Sequence, residues 1–178
     1  VAPIAGVKPE PPIETIKKLA QSLGKQINFE RQRGNTLGTY DPSNTNVSVR
    51  FKGDMQVVAH EITHWLDDAF GVVRQWARKR GGSPFDAELQ PFWQQGISSA
   101  QKSHPLWRKR AEGVAEFVRS YINNPIATEQ AAPAFTKWWL SKIGDARVSL
   151  DAFSQKVREY HGSLPAEKMR TQFQFWEP

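Results

Sequence analysis

Apolar residues recur at helical spacing near the start of the chain and then give way to alternation. In residues 12–23 apolar side chains return every three or four positions, with a proline at the start and a glycine just past the end. This pattern predicts an amphipathic helix. Alternating segments at 26–32, 36–40 and 46–51 predict three short strands. The Asp-Pro-Ser-Asn run at 41–44 predicts the turn that joins the last two strands.

Helical periodicity returns after the strands and dominates the remainder of the chain. A helix is predicted over 54–70, with a glycine directly after it as the stop. Glycine and proline interrupt residues 71–105, which predicts short helices and loops. Further helices are predicted at 105–121, 131–143 and 150–160. The expected fold is α+β: a small antiparallel sheet next to the helix of residues 54–70, followed by a mainly helical second half.

Length and composition favour one domain without a membrane span. The 178 residues are 39% hydrophobic with a mean hydropathy of −0.59, and no run of about 18 apolar residues is present. We expect a flexible N-terminal tail at 1–10 and a single domain at 11–178. No signal-peptide pattern stands at the start. The sequence leaves localisation open and favours the cytoplasm or a virion.

The chain has no cysteine and carries a basic excess. Without cysteine, disulfides, thiolate metal sites and cysteine nucleophiles are excluded, so metal ligands must come from four histidines and the carboxylates. The formal net charge is +6, with basic residues clustered at 74–80 and 107–110 beside tryptophans. Such clusters are typical either of a nucleic-acid partner or of an ordinary solvated surface around a Trp-rich core.

The helix predicted at 54–70 contains the motif His60-Glu61-Ile-Thr-His64. Histidines at i and i+4 lie on one helical face, so His60 and His64 can reach one metal ion. Glu61 lies at the adjoining edge, where it can meet a water molecule without ligating the metal. The motif predicts a zinc site, and its alternative is a pair of polar histidines on an amphipathic helix.

A later helix supplies candidates for a third ligand. Glu112 and Glu116 are one turn apart in Ala111-Glu-Gly-Val-Ala-Glu-Phe117, so both lie on one face. Spacing alone does not distinguish them, so either carboxylate could be the third ligand of a metal site with His60 and His64. The other can orient a ligating histidine or form a surface salt bridge.

The two motifs together resemble the gluzincin zinc metallopeptidases, such as thermolysin and anthrax lethal factor, and peptidase-like domains of large phage and mobile-element proteins. The similarity covers about residues 36–122. The metzincin pattern is absent, because Asp67 and Phe70 stand where its glycine and third ligand belong. The resemblance implies that Glu112 is the third zinc ligand and that Glu116 supports a ligating histidine. It also implies a protein or peptide substrate.

Further residues are assigned on weaker grounds. His104, eight residues before Glu112, is a candidate donor to the developing oxyanion. Asp68 is expected to orient a site residue or to pair with Arg119. Val47 and Val49 lie on the strand before the motif helix, and an edge strand there would bind an extended substrate by strand addition.

Two functions follow from these residues. The first is a zinc-dependent endopeptidase in which Glu61 takes a proton from the attacking water and passes it to the leaving amine. We expect narrow specificity or processing of a parent polyprotein. The alternative is a peptidase-derived binding module for nucleic acid or a protein partner, with a structural metal or none. The substrate, its cleavage site and the oligomeric state are not encoded in any pattern we find.

Overall fold

A computed structural model describes five stretches of the chain. They are 12–22, 25–31, 38–49, 55–96 and 103–162. The predicted tail at 1–10 lies outside them. Statements on structure below concern these stretches.

Three short strands and eight helices form the described part of the fold. The strands are β1 (Asn28–Arg31), β2 (Gly38–Asp41) and β3 (Asn46–Val49). The helices are α1 (Pro12–Ser22), α2 (Met55–Phe70), α3 (Val72–Ala77), α4 (Pro84–Gly96), α5 (Leu106–Asn123), α6 (Pro125–Ala131), α7 (Pro133–Ile143) and α8 (Ala146–Gly162). The protein is therefore α+β and mostly helical, as the periodicity predicts.

The sheet has the order β1-β3-β2 and is mixed. β2 and β3 form the predicted antiparallel hairpin, with Gly38 opposite Val49 and Asp41 opposite Asn46. The Ser43 amide donates to the Asp41 carboxylate at 2.9 Å and fixes the turn. β1, however, pairs with β3 in parallel, so the prediction of a wholly antiparallel sheet is wrong. β3 is the most apolar strand, and a central position shields it on both sides.

The central position of β3 overturns the prediction that this strand forms an edge. Its backbone pairs with β1 on one side and with β2 on the other. Within the described sheet it therefore offers no edge for an added peptide strand. Val47 and Val49 are 0% exposed and belong to the hydrophobic core, so they do not form a substrate-binding surface. The outer strand β2 contacts α2.

α2 lies between the sheet and α5 and carries the motif. Ile62, Trp65 and Leu66 are buried on its apolar face at i, i+3 and i+4 spacing. The Trp65 indole donates to the Gln26 carbonyl at 3.0 Å, which ties α2 to the segment before β1. On α5, the fully buried Phe117 contributes to the core. Packing on two sides fixes the position of α2.

The end of α2 matches the sequence prediction. Gly71 follows Phe70 with a φ of 65°, a left-handed conformation that glycine adopts without strain. The Asp67 carboxylate accepts a hydrogen bond from the Val73 amide at the start of α3. Asp67 thereby provides a hydrogen-bond acceptor for a first-turn amide of α3, which has no partner within its own helix, and links the end of α2 to the start of α3.

The second half is more helical than predicted. Residues 71–105 contain α3 and α4, in line with the expected short helices. α6 was not predicted, because its first residue, Pro125, is also a typical signal for the end of the preceding helix α5. The Asn124 side chain accepts a hydrogen bond from the Ala127 amide at 3.1 Å and caps the start of α6. α8 begins at Ala146, four residues before its predicted start. No helix in the described stretches combines the length and apolarity needed to cross a membrane.

Candidate metal centre

α2 and α5 pack side by side and bring the two motifs together. Ala115 of α5 is 0% exposed, and its carbonyl lies 3.4 Å from the Thr63 hydroxyl of α2. A small residue at this contact allows the helix backbones to approach closely. The charged side chains of both helices therefore meet along one seam, although the motifs are about 50 residues apart in sequence.

His60, His64 and Glu112 form one group of donors. A ligand atom from each of the three lies within 4.8 Å of the other two. His60 Nε2 is 3.7 Å from Glu112 Oε2, and the two imidazole centroids are 5.1 Å apart. Donors that share a zinc ion lie roughly 3 to 4 Å apart. The His60–Glu112 pair meets this spacing, and the other two pairs lie within 4.8 Å.

Glu116 holds His60 from the side opposite this group. Glu116 Oε1 lies 3.0 Å from His60 Nδ1, while the His60 Nε2 atom faces Glu112. Burial opposes the charged imidazolium, but the Glu116 hydrogen bond and the nearby carboxylates raise the pKa of His60 overall. In the neutral imidazole, an ionised Glu116 keeps the proton on Nδ1, so that the Nε2 lone pair of this form is directed at the donor group.

Arg119 in turn fixes Glu116. Its Nε and Nη2 atoms both donate to Glu116 Oε2, at 2.8 and 2.5 Å. Burial raises the pKa of Glu116, but the hydrogen bonds from His60 and Arg119 outweigh it and lower that pKa overall. Glu116 therefore stays ionised and fixed in position. The spacing of three residues between Glu116 and Arg119 on one helix is the sequence signal for this pair, whereas the alternative pairing of Arg119 with Asp68 stays a prediction.

The two histidines differ in electrostatic environment. Burial, followed by the charge of His60, lowers the pKa of His64 to about 4. His64 is therefore neutral at pH 7, which is the form that can ligate a metal ion. The half-buried site thus holds one imidazole neutral by desolvation and orients the other by a carboxylate.

Glu61 is 7% exposed and lies beside the donor group. Burial is the largest cause that raises the pKa of its carboxyl to about 7; Glu112 raises it further, and His60 opposes the rise. A group with a pKa near 7 can both accept and release a proton at neutral pH. Strongly raised carboxyl pKa values are typical of functional sites, although structural networks also produce them.

Asp68 and His104 are not members of this donor group. The Asp68 carboxylate accepts a hydrogen bond from the Tyr40 hydroxyl at 3.1 Å and so links α2 to β2. Tyr40 carries no sequence signal for this contact beyond strand alternation. His104 lies in the turn before α5; its Nδ1 atom is buried and lacks a hydrogen-bond partner in the described structure. Its oxyanion role stays a prediction.

Comparison with known proteins does not assign the chain. No known family matches its sequence, no curated protein matches it, and no solved structure matches its fold. The case for a function therefore rests on the site itself. Its nitrogen and oxygen donors, the neutral His64 and the oriented His60 are a set that fits a zinc ion.

Proposed function

We propose that the protein is a zinc-dependent endopeptidase of the gluzincin type. The observation that carries the proposal is the meeting of His60, His64 and Glu112 at one point beside the buried Glu61. Two histidines and one carboxylate are a common ligand set of catalytic zinc sites. Calcium and magnesium prefer oxygen donors alone, so the two imidazoles favour zinc.

The chemistry follows from the roles of the side chains. A bound zinc ion supplies a Lewis acid that polarises a carbonyl and makes water more acidic. Glu61 takes the proton from the attacking water at its carboxylate and delivers it to the leaving nitrogen. His60 is kept in one tautomer by Glu116, and Arg119 keeps Glu116 from turning away. We expect narrow specificity or the processing of a parent polyprotein.

The state of Glu61 favours an enzyme over a binding module with a structural metal. A carboxyl with a pKa near 7 reflects the cost of burying its charge. A structural metal site requires only its ligands, so the free-energy cost of burying the Glu61 carboxylate would bring no benefit in such a site. An enzyme requires such a base, and functional sites are where local costs of this kind are retained.

Metal content is the first test. Elemental analysis of the purified protein should find one zinc per chain, lost in Glu112→Ala and weakened in Glu116→Ala. Glu129→Ala, at an exposed position on α6, is the control. A wild-type protein that binds no zinc after reconstitution would refute the proposal.

Hydrolysis is the second test. The zinc-loaded protein is incubated with a complex peptide library, and new termini are identified by mass spectrometry. Cleavage should occur with the wild type and be abolished in Glu61→Gln, which should still bind zinc. Equal zinc binding by both proteins without any cleavage would favour the binding-module alternative.

A further inference from the structure

Arg110 joins the two basic clusters noted in the sequence. Its side chain is buried and donates to the carbonyl oxygens of Ala77, Lys79 and Gly81 at 3.3, 2.8 and 2.7 Å. The same guanidinium makes two 2.7 Å hydrogen bonds to the Asp86 carboxylate. The loop after α3 is thereby fixed against the first turns of α5. One basic cluster lies next to the other.

The side chains that surround this junction are exposed and positive. Arg78, Lys79 and Arg80 are exposed on the loop, and Arg108 is exposed in the first turn of α5. We call these four residues the basic surface. Within the described structure, no carboxylate forms a salt bridge with any of them. Positive charge at a helix start opposes the helix dipole, and α5 has no acidic residue in its first turn.

Apolar and aromatic groups lie next to the basic surface. Trp107 and Leu106, adjacent in the chain, are each 49% exposed. Leu106 lines a cleft of about 410 Å³ between α4 and α5, together with Trp93, Lys109 and the Asp86–Arg110 ion pair. The Lys109 ammonium lies 5.4 Å from the centre of the Trp93 ring. The region therefore offers both cations and rings to a ligand.

We propose that the basic surface, with Trp107 and the adjacent cleft, binds single-stranded nucleic acid. A positively charged track beside exposed aromatic rings is the arrangement on which a strand places its phosphates and stacks its bases. Three of the four cations are arginines, whose planar guanidinium groups match phosphate oxygens better than lysine does. An acidic polypeptide offers negative charge but lacks the stacking bases that the exposed Trp107 accommodates.

This binding is separate from the proposed peptidase activity. None of the residues of the basic surface belongs to the donor group of the metal centre. The binding should therefore persist in the metal-free protein, and it should persist if the chain cleaves no peptide. A peptidase without nucleic-acid binding and a nucleic-acid binder without activity are distinguishable results.

The test is fluorescence anisotropy with a labelled 20-nucleotide oligothymidine, at 50 to 200 mM NaCl, with and without a chelator. Arg78→Glu/Arg80→Glu should weaken binding at least about tenfold and reduce the salt slope by about 1.4, since each phosphate contact contributes about 0.7. Lys18→Glu/Lys25→Glu changes the net charge equally at exposed positions elsewhere and should retain the slope.

Stacking is tested separately. Trp107→Ala should weaken binding at least about fivefold with an unchanged salt slope, because stacking is not electrostatic. Ile126→Ala, at another exposed apolar residue, should have no effect.

Three results would overturn the proposal. They are no binding of the oligonucleotide at 50 mM NaCl, an equal loss in both charge-reversal variants, and full displacement by an equimolar aspartate-rich 20-residue peptide. Arg78→Gln/Arg80→Gln serves as a milder variant if the charge reversal does not fold. Circular dichroism verifies the fold of each variant.

Discussion

Replacing Glu61 with glutamine should stabilise the metal-free protein at pH 8 while having little effect at pH 5. The substitution keeps the shape of the side chain and removes only its ability to ionise. In the folded protein the carboxyl is 7% exposed, and burial raises its pKa from the ordinary 4.5 to about 7. Above pH 7 the wild-type protein must therefore hold a charge in a site that disfavours it.

The magnitude follows from the difference in pKa between the folded and unfolded chains. Because the folded pKa is raised, the protonated carboxyl contributes stability that is fully present below about pH 4.5 and is lost as the pH rises through 7. One pKa unit corresponds to about 1.4 kcal/mol. The free energy of unfolding lost by pH 8 is therefore roughly 3 kcal/mol, whereas at pH 5 the loss is under about 1 kcal/mol. Glutamine has no such loss.

Urea unfolding in the presence of a chelator, followed by circular dichroism, measures this difference at both pH values. Glu129→Gln, at an exposed position on α6, controls for the general loss of a negative charge. The reasoning is refuted if Glu61→Gln changes stability equally at pH 5 and pH 8, or lowers it at pH 8. Zinc should shrink the gain at pH 8, because a nearby cation favours the ionised carboxylate of the wild type.

Three further substitutions test the neighbouring structure. Glu116→Gln should weaken zinc binding about 10- to 100-fold in chelator competition, because a neutral amide no longer holds His60 as a carboxylate does; unchanged affinity would contradict this. Arg110→Met should lower the free energy of unfolding in urea by about 3 kcal/mol, because it removes the guanidinium donor of three carbonyls and leaves the Asp86 carboxylate with only the Ser83 amide. A loss below about 1 kcal/mol would contradict it. Gly113→Leu should lower the melting temperature, since a Cβ there already meets the Trp93 side chain at 3.4 Å; an unchanged value would show that Trp93 moves freely.

The periodicity of α2 and α5 was sufficient to predict both helices that form the site. Their apolar positions recur at helical spacing, and the spacing within each motif places its polar residues on one face. The position of Glu112 and Glu116 on one face of α5 follows from geometry that a helix imposes within a few residues, whereas the choice of Glu112 as the third ligand came from the gluzincin resemblance and stays a prediction. Such local relations are readable from sequence, because they do not depend on which other elements pack nearby.

Relations between distant elements were not readable in this way. The parallel pairing of β1 with β3 depends on which strand occupies the centre of the sheet, and alternation alone does not specify neighbours. The hydrogen bond from Tyr40 to Asp68 likewise depends on how β2 lies against α2. Both readings of the basic clusters, a nucleic-acid partner or a solvated surface, place Arg110 at the surface, yet Arg110 is buried. Three of its partners are backbone carbonyls, which carry no sequence signal.

The metal centre and the basic surface share one structural support, α5. Glu112 and Glu116 project from this helix toward α2, and Arg110, two residues before Glu112, fixes its start against the loop after α3. A shift at the start of α5 should therefore also displace Glu112 and Glu116, because a tightly packed helix moves as a rigid body more readily than it bends. Loss of Arg110 should consequently weaken zinc binding as well as stability, although the residue contacts no ligand. Charge reversal at Arg78 and Arg80 leaves the support intact, so it should leave zinc binding unchanged. If α5 is the shared support, zinc affinity should fall in Arg110→Met and stay unchanged in Arg78→Glu/Arg80→Glu. A loss of zinc affinity in both variants would instead indicate that the basic surface acts on the donor group directly.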